Sequence, residues 1–383
     1  MTGHTGFKGA WLATWLKTLG ANVSGFALAP ESGRPCLFEA ARVDRDMKST
    51  FGDVRDAPAM AAALAAQQPE IVFHLAAQPV VRRSYASPVE TLHVNALGTA
   101  HLLEAVRQTP SVRAVVIVTS DKCYENREWP WGYREDEPLG GRDPYSCSKA
   151  CAELIAAAYR QSYFSAPHAP KLATVRAGNV FGGGDWSEDR LVPDILRAQL
   201  DGRQIVLRNP HAVRPWQHVL EPLHGYLLLG ERLCVVGEAF CGAWNFGPGD
   251  DDMVSVQELT ERLVKHWGGG HEDSLWGGLP RPSASADGPG RPPHGRETRP
   301  APSSETVRCS PANAPHEAHT LRLDSSKARQ RLGWRPLLSL DEGLQWTVAW
   351  TRAWAQAADA GETVLKQQIE NYQERSFAVR RAA

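Results

Sequence analysis

MTGHTGFKGAWLATWL (residues 1–16) sets Gly3, Gly6 and Gly9 three apart and runs directly into an apolar pattern. Glycines at this spacing let backbone N–H groups approach a pyrophosphate at a helix N-terminus, where the helix dipole also favours negative charge. Phe7, Trp11, Leu12, Trp15, Leu16 and Leu19 recur at helical spacing and Gly20 closes the run, which predicts an amphipathic helix over 7–19. Such a turn normally follows a strand, yet only Met1 and Thr2 precede Gly3. The strand expected there is the central one of a parallel sheet, buried on both faces, and sheets seldom tolerate its loss. A start lying upstream reconciles the two, with Met1 standing where an apolar residue such as valine, encoded by GTG, belongs.

Outward from the turn, ANVSGFAL (21–28) reads as a strand, 57–66 as a helix, IVFHLAA (71–77) as a strand and AVVIVTS (114–120) as another. A helix begins at Pro88, with Ser87 as cap, proline in the first position and Glu90 closing a capping box. A further helix is expected over 145–163 and a strand at KLATVRA (171–177). Strands alternating with helices of this length predict a doubly wound α/β fold of Rossmann type, a parallel sheet with helices on both faces. SVQELTERLVKHW (255–267) and SLDEGLQWTVAWTRAW (339–354) repeat a Ser-x-x-Glu start, so a smaller, mainly helical C-terminal substrate domain is expected. The domain expectation is a dinucleotide-binding domain at 1–178 lacking its first strand, with returning segments near 205–250, and a substrate domain at 179–204 and 251–375. Between 268 and 315 stand nine prolines and eight glycines, a composition expected to give a disordered insertion.

Lys plus Arg number 42 and Asp plus Glu 43, so no global charge favours nucleic acid or an anionic membrane. The longest uncharged apolar runs are strand-sized, far short of the roughly 20 residues of a membrane-spanning helix. The N-terminus carries lysines inside its apolar pattern and no cleavage-type ending, unlike a signal peptide. Seven cysteines without metal-ligand spacing predict reduced thiols, a cytoplasmic location and no metal site, with Cys147 and Cys151 as small packing residues on one helix face.

The chemistry concentrates in VTSDKCY (118–124) and DPYSCSKACAE (143–153). Ser120, Asp121 and Lys122 stand at the C-terminal edge of a parallel strand, where ligands bind in open α/β sheets. Tyr145 and Lys149 lie four apart on one helix face. A lysine ammonium there is expected to lower the phenol's pKa, so that the phenolate takes a hydroxyl proton as hydride leaves the same carbon. The second strand ends GFALAP, without the acid that marks NAD preference, so NAD versus NADP is not readable there. Asp53 in GDVRD is either an acceptor for the adenine amino group or the start of a turn.

With the glycine turn, HLAAQ after the third strand and the Ser/Thr-rich strand end, these residues resemble the extended short-chain dehydrogenase/reductases, and within them the nucleotide-sugar 4,6-dehydratases. TGHTGFKG, SDKCY, NREWPWGYRE, RAGNVFGGGDW, DRLVPDILRA and RNPHAVRPWQHVLEPL are similar to members acting on CDP-glucose. The resemblance implies NAD as cofactor, held by Gly3, Gly6, Phe7, Gly9, Asp53, Val54, Leu75, Ala76, Ala77, Tyr145 and Lys149. It implies oxidation at C4 of the glucose, elimination of water across C5 and C6, and return of hydride to C6, as in deoxysugar biosynthesis of the lipopolysaccharide O-antigen kind. Tyr145, Lys149 and Ser120 are then the redox residues, Asp121 the acid for the C6 hydroxyl and Lys122 the base at C5. A base must be partly neutral, which requires burial or neighbouring cations; otherwise Lys122 only binds a phosphate. Asn179, Arg190, Arg208 and Arg214 are the expected substrate contacts, and His218 is either a further one or structural. The helices at 88–108 and 145–163 form the dimer contact in resembling proteins, so a homodimer or a dimer of dimers is expected. An epimerase or reductase with the same Tyr-Lys pair, and a catalytically silent nucleotide-sugar binder, are the competing readings.

Overall fold

The computed structural model describes residues 1–249, 252–268, 307–309 and 320–382. Helix α1 (Phe7–Thr18) leaves the glycine turn, β1 (Ser24–Ala27) follows, and α2 (Leu37–Ala40) leads to β2 (Lys48–Phe51). The alternation continues through α3 (Ala57–Gln67), β3 (Ile71–His74), α4 (Val81–Ala86), α5 (Pro88–Leu92), α6 (Gly98–Arg107), β4 (Ala114–Val118), α7 (Pro144–Ser162) and β5 (Lys171–Ala177). β3, β4, β5 and a later strand pair in parallel, and β1 pairs in parallel with β2. Along β4 the faces alternate. Ala114 and Val116 enter one core with Trp11, Leu12 and Trp15, whereas Val115 and Ile117 enter another with Met60, Leu102 and Val106. This two-residue period is what a sheet covered by helices on both faces requires.

At the place of the strand expected before the glycine turn stands Thr2. Thr2 bridges in parallel to Phe26 of β1 and to His74 of β3, joining the two parts of the sheet. Thr2 N donates to Phe73 O (2.9 Å), Gly3 N to Phe26 O (2.9 Å) and Phe26 N to Met1 O (3.0 Å). The Met1 amine donates to Ser24 O at 2.7 Å, and burial pulls its pKa down to about 6.

Beyond β5 the chain builds the second unit from β6 (Asn179–Phe181), α8 (Leu191–Asp201), β7 (Ile205–Leu207) and β8 (Val213–His218). It then returns through α9 (Leu220–Val235) to β9 (Gly242–Phe246), the sheet strand beside β5, before β10 (Met253–Ser255) and α10 (Val256–Gly268). β10, β8 and β6 form a small sheet, and α8, α10 and α11 (Leu340–Gln356) share its core through Leu196, Leu259 and Leu344. A strand β11 (Val307–Cys309) pairs in parallel with β7. Of the stretch 268–315 expected to be disordered, Gly268 ends α10 and Val307–Cys309 form β11, and 269–306 and 310–315 lie outside the described residues. The last helix, α12 (Ala360–Ala382), closes over α1, with Tyr372 edge-on to Trp15 at 5.5 Å. Tyr372 Oη donates to Glu221 at 2.6 Å, and the same carboxylate accepts from Leu337 N and Leu338 N. Burial pushes the Glu221 carboxyl up to about 7.

Three local expectations meet different outcomes. Ser339 and Glu342 form a full capping box on α11. Ser87 makes no side-chain cap, Glu90 pairs with Arg83 at 3.1 Å, and Pro88 stands at the helix start. That helix also breaks at once: α5 passes through a π-helical turn at His93–Leu97 before α6 resumes. Cys147, expected to pack, is exposed, and Cys151 is half-buried. Among the described residues no helix is long and apolar enough to cross a membrane, and no cluster of His, Cys, Asp or Glu has the make-up of a metal site.

Candidate active site

The C-terminal end of β4 runs through Thr119 and Ser120 into a single 3-10 turn at Asp121–Cys123. Ser120 is extended (φ −167°, ψ 157°), which turns its hydroxyl to cap that turn. Its Oγ accepts from Lys122 N at 3.2 Å and donates to Asp121 Oδ1 at 2.9 Å. Asp121 is 2% exposed, and its Oδ2 has no hydrogen-bond partner within the described residues.

α7 begins under a firm cap: Asp143 accepts from Ser146 N at 2.9 Å, and Pro144 fills the first turn. Tyr145, Lys149 and Glu153 then fall at successive turns of one buried face. Lys149 Nζ donates to Val118 O at 3.2 Å, tying the helix to the end of β4. Burial pulls the Lys149 ammonium down to about 8, against the opposing charge of Glu153. Burial also pushes the Tyr145 phenol up to about 12, with the Ser120 hydrogen bond and then the Arg190 charge acting the other way. Burial is the largest influence on the phenol, and Ser120 leads those that act against it.

Two further groups hold this face, and the sequence reading missed both. Glu153, buried, accepts from Arg176 Nε and Nη2 (each 2.9 Å), Thr174 Oγ1 (2.7 Å) and Thr119 Oγ1. Asn95, from the π-helical turn, donates to Ser148 Oγ (2.9 Å), which donates to Tyr145 O (2.6 Å). A helical glutamate following Tyr-x-x-x-Lys by four was the only available signal for the first. The second had none, since a π-turn leaves no trace in periodicity.

The glycine turn closes onto the strand ends. Gly3 has φ +72°, and a Cβ there would lie 2.7 Å from Ala76 N. A Cβ on Gly9 would overlap Gly3 O, so α1 seats directly on the turn. Gly6 caps α1 without a side chain, so the first-turn N–H groups need an outside acceptor. Phe7 is half-buried beside it. Thr2 Oγ1 accepts from Leu75 N and Ala76 N (each 3.2 Å), fixing the strand end that continues to Ala77. Lys8, a residue the sequence reading passed over, puts its ammonium in the field of Asp121, Asp185, Lys149 and Arg190. Burial, then the charges of Arg190 and Lys149, pull it down to about 7. Asp53 folds onto its own turn, accepting from Arg55 N (2.9 Å), Nε (2.9 Å) and Nη2 (2.6 Å), and the Arg55 hydrogen bond lowers its pKa. Val54 is buried, and its carbonyl accepts from His101 Nδ1 at 3.0 Å.

The expected substrate residues divide. Arg190, at the start of α8, pairs with Asp185 at 3.2 Å and acts on both Tyr145 and Lys8, so it joins the central group. Arg208 is held instead by Asp189 at 2.9 Å. Arg214 is buried in β8, donating to Val213 O at 3.0 Å, and Asn179 heads β6 opposite Trp216. His218 is 2% exposed and ringed edge-on by Trp11, Phe181 and Trp346; burial pulls it down to about 3, so it is a neutral packing ring.

Tyr145, Lys149, Lys8 and the buried Asp121 thus lie within one another's field beside the glycine turn. The GDP-mannose 4,6 dehydratase family model matches residues 1–232. The CDP-glucose 4,6-dehydratase of Salmonella typhimurium is 48% identical over 380 residues, covering 97% of this chain and 95% of the relative. Among solved structures, DesIV, a dTDP-glucose 4,6-dehydratase from Streptomyces venezuelae with NAD and TYD bound, has a TM-score of 0.71 at 25% identity, over 92% of this chain and 95% of its own. The UDP-glucose 4-epimerase of Thermotoga maritima superposes with a TM-score of 0.70 at 22% identity, over 92% and 97% of the two chains, a likeness of fold. The chain belongs to the nucleotide-sugar 4,6-dehydratases of the extended short-chain dehydrogenase/reductase family.

Proposed function

We propose that the chain converts CDP-glucose to CDP-4-keto-6-deoxyglucose with NAD as a regenerated cofactor. The observation that carries the reading is the buried acid Asp121, which accepts from the Ser120 hydroxyl at 2.9 Å and is followed in the chain by Lys122. An epimerase or a plain reductase needs only the tyrosine and its lysine. The residues fit the dinucleotide: Gly3 and Gly9 allow close approach, the open first turn of α1 offers N–H donors to a diphosphate, and Lys8 adds a cation. NAD, when bound, supplies a hydride acceptor at C4 and returns the hydride at C6. Tyr145, as phenolate, removes the O4 proton, with Lys149 and Arg190 stabilising the negative oxygen. The ketone acidifies C5–H, which Lys122 removes while Asp121 protonates the departing C6 hydroxyl, and Lys122 then returns its proton to C5. Arg208, Arg214 and Asn179 are assigned to the nucleotide diphosphate, and Asp53 to the adenine end of the cofactor.

The dehydrogenase unit is assigned to 1–178 with the returning strand β9, and the substrate unit to the remainder. Val89, Leu97 and Leu154 are half or more exposed on α5, the π-turn and α7, which supports a homodimer through these helices. No two described cysteines are joined, in keeping with the cytoplasm. The test is product analysis by NMR after CDP-, dTDP-, GDP- and UDP-glucose are offered in parallel. A 4-keto-6-deoxy product from the CDP sugar is expected; an epimerised sugar without a keto signal refutes dehydration, and a different preferred base refutes the cytidine assignment.

A further inference from the structure

We infer that Asp189 holds the place of the substrate's diphosphate in the ligand-free protein, and that Arg82, which shares that carboxylate with Arg208, is a further diphosphate-binding residue. This rests on the assignment of Arg208 to the nucleotide diphosphate above.

The segment between β6 and α8 is a strap tied down at three consecutive residues. Glu188 pairs with Arg34 at 3.1 Å, Asp189 with Arg82 at 3.3 Å and with Arg208 at 2.9 Å, and Arg190 with Asp185 at 3.2 Å. Arg34, between β1 and α2, and Arg82, in α4, belong to the dinucleotide-binding unit, whereas Arg208 follows β7 of the substrate unit. Guanidiniums from both units therefore meet on one oxygen, Asp189 Oδ1, and Arg208 Nη2 also donates to Asp189 O at 3.3 Å. The next residue, Arg190, acts by its charge on Tyr145 and Lys8, so the strap runs past the catalytic group.

Charge and geometry give the class of ligand. Converging guanidiniums present planar forks of N–H donors that suit phosphate oxygens as well as carboxylate ones. Asp189 brings one negative charge to two positive ones, and a diphosphate brings more, so the ligand matches the pair better than the side chain does. Asp189 is also readily displaced. The side chains of Arg82, Asp189 and Arg208 are 40%, 37% and 31% exposed, and ion pairs open to water in this way are weak. The Asp189 backbone is left-handed, with φ +60°, a conformation that only glycine adopts freely and that asparagine and aspartate tolerate. Arg208 keeps a second acid, Asp194 at 3.8 Å, so its guanidinium stays in place when Asp189 lets go. Asp189 is the one ion-pair partner of Arg82 among the described residues, so its displacement frees that arginine entirely.

The test is calorimetric titration of the full chain, loaded with NAD, with CDP and with cytidine. Asp189→Asn keeps the size and suits the left-handed backbone while removing the charge. CDP is expected to bind this variant about three- to tenfold more tightly than wild type, and cytidine, which lacks the diphosphate, with unchanged affinity. Arg82→Gln is expected to weaken CDP at least about threefold and, in combination, to reduce the gain given by Asp189→Asn. Glu188→Gln removes the same charge one residue away, where it meets Arg34 alone among the described residues, and is expected to leave CDP affinity within about twofold of wild type. Unchanged or weaker CDP binding in Asp189→Asn, an equal gain for cytidine, or an equal gain from Glu188→Gln overturns the stand-in, and unchanged CDP binding in Arg82→Gln overturns the role of that arginine. Arg208→Gln separates this inference from the reading beneath it. Unchanged CDP affinity there removes the diphosphate assignment and the inference with it, whereas a loss there without a gain in Asp189→Asn removes the inference alone.

Discussion

Replacing Glu153 by glutamine removes the charge from the centre of the clamp on α7 while keeping its volume. The carboxylate accepts from four donors on Thr119, Thr174 and Arg176, and an amide there turns an NH2 toward at least one of them. It also leaves the Arg176 guanidinium, 3% exposed by side chain, without its counter-charge. Breaking one partner of a buried pair costs about 3–5 kcal/mol. With about 2.1 cal/mol/K of unfolding entropy per residue over roughly 330 described residues, that corresponds to a fall in Tm of about 4–7 °C. Differential scanning calorimetry at neutral pH measures it. The Glu153→Leu/Arg176→Met double variant is expected to recover at least half the loss, because an apolar pair of similar volume needs no desolvation. Glu153 also raises the neighbouring ammonium of Lys149, so in Glu153→Gln the alkaline limb of kcat moves to lower pH. A Tm within about 1 °C of wild type, or a double variant less stable than the single, refutes the clamp.

Gly9→Ala drives a methyl into Gly3 O, so calorimetric NAD affinity falls at least about tenfold; unchanged affinity refutes the assigned turn. Ser339→Ala costs about 1 kcal/mol in urea unfolding, whereas Ser87→Ala, at a helix start without a side-chain cap, costs less than about 0.3 kcal/mol. Burial holds His4 down to about 4 and His74, His218 and His224 to about 3, so each is neutral in the fold and takes a proton on unfolding below about 6.5. Their contribution is complete above the unfolded pKa and is lost as pH falls from about 6.5 toward 3–4, so unfolding in that window takes up several protons. Unfolding free energy flat from pH 6.5 to 4.5 contradicts this.

The legible parts of the fold were those written in local periodicity. The glycine turn, α1, β3, β4, α7 and β5 stand within a few residues of their expected places, because each combines an apolar pattern with a cap or breaker. β2 escaped because KSTF is a polar edge strand with little to distinguish it from a loop. The first strand escaped because two residues carry no period, and its pairing is decided by β1 and β3 on either side. At the site, Ser120, Asp121, Tyr145 and Lys149 were readable because strand edge and helix face set them together. Lys8, Glu153 and Asn95 were not, since their roles depend on which distant side chains meet them. His218 shows the opposite: a polar residue in a motif that three-dimensional packing assigns to aromatic neighbours.

The closure of α1 by α12 has a consequence for synthesis. Trp11 and Trp15 are buried in a core that Tyr372 helps to complete, about 360 residues later, which at roughly 5–20 residues per second is some 20–70 s of ribosome time. Through that interval the Trp15 ring lacks its edge-on partner Tyr372. A premature stop before α12 is expected to leave the Trp15 side of this core uncovered, a consequence of the topology rather than of the site.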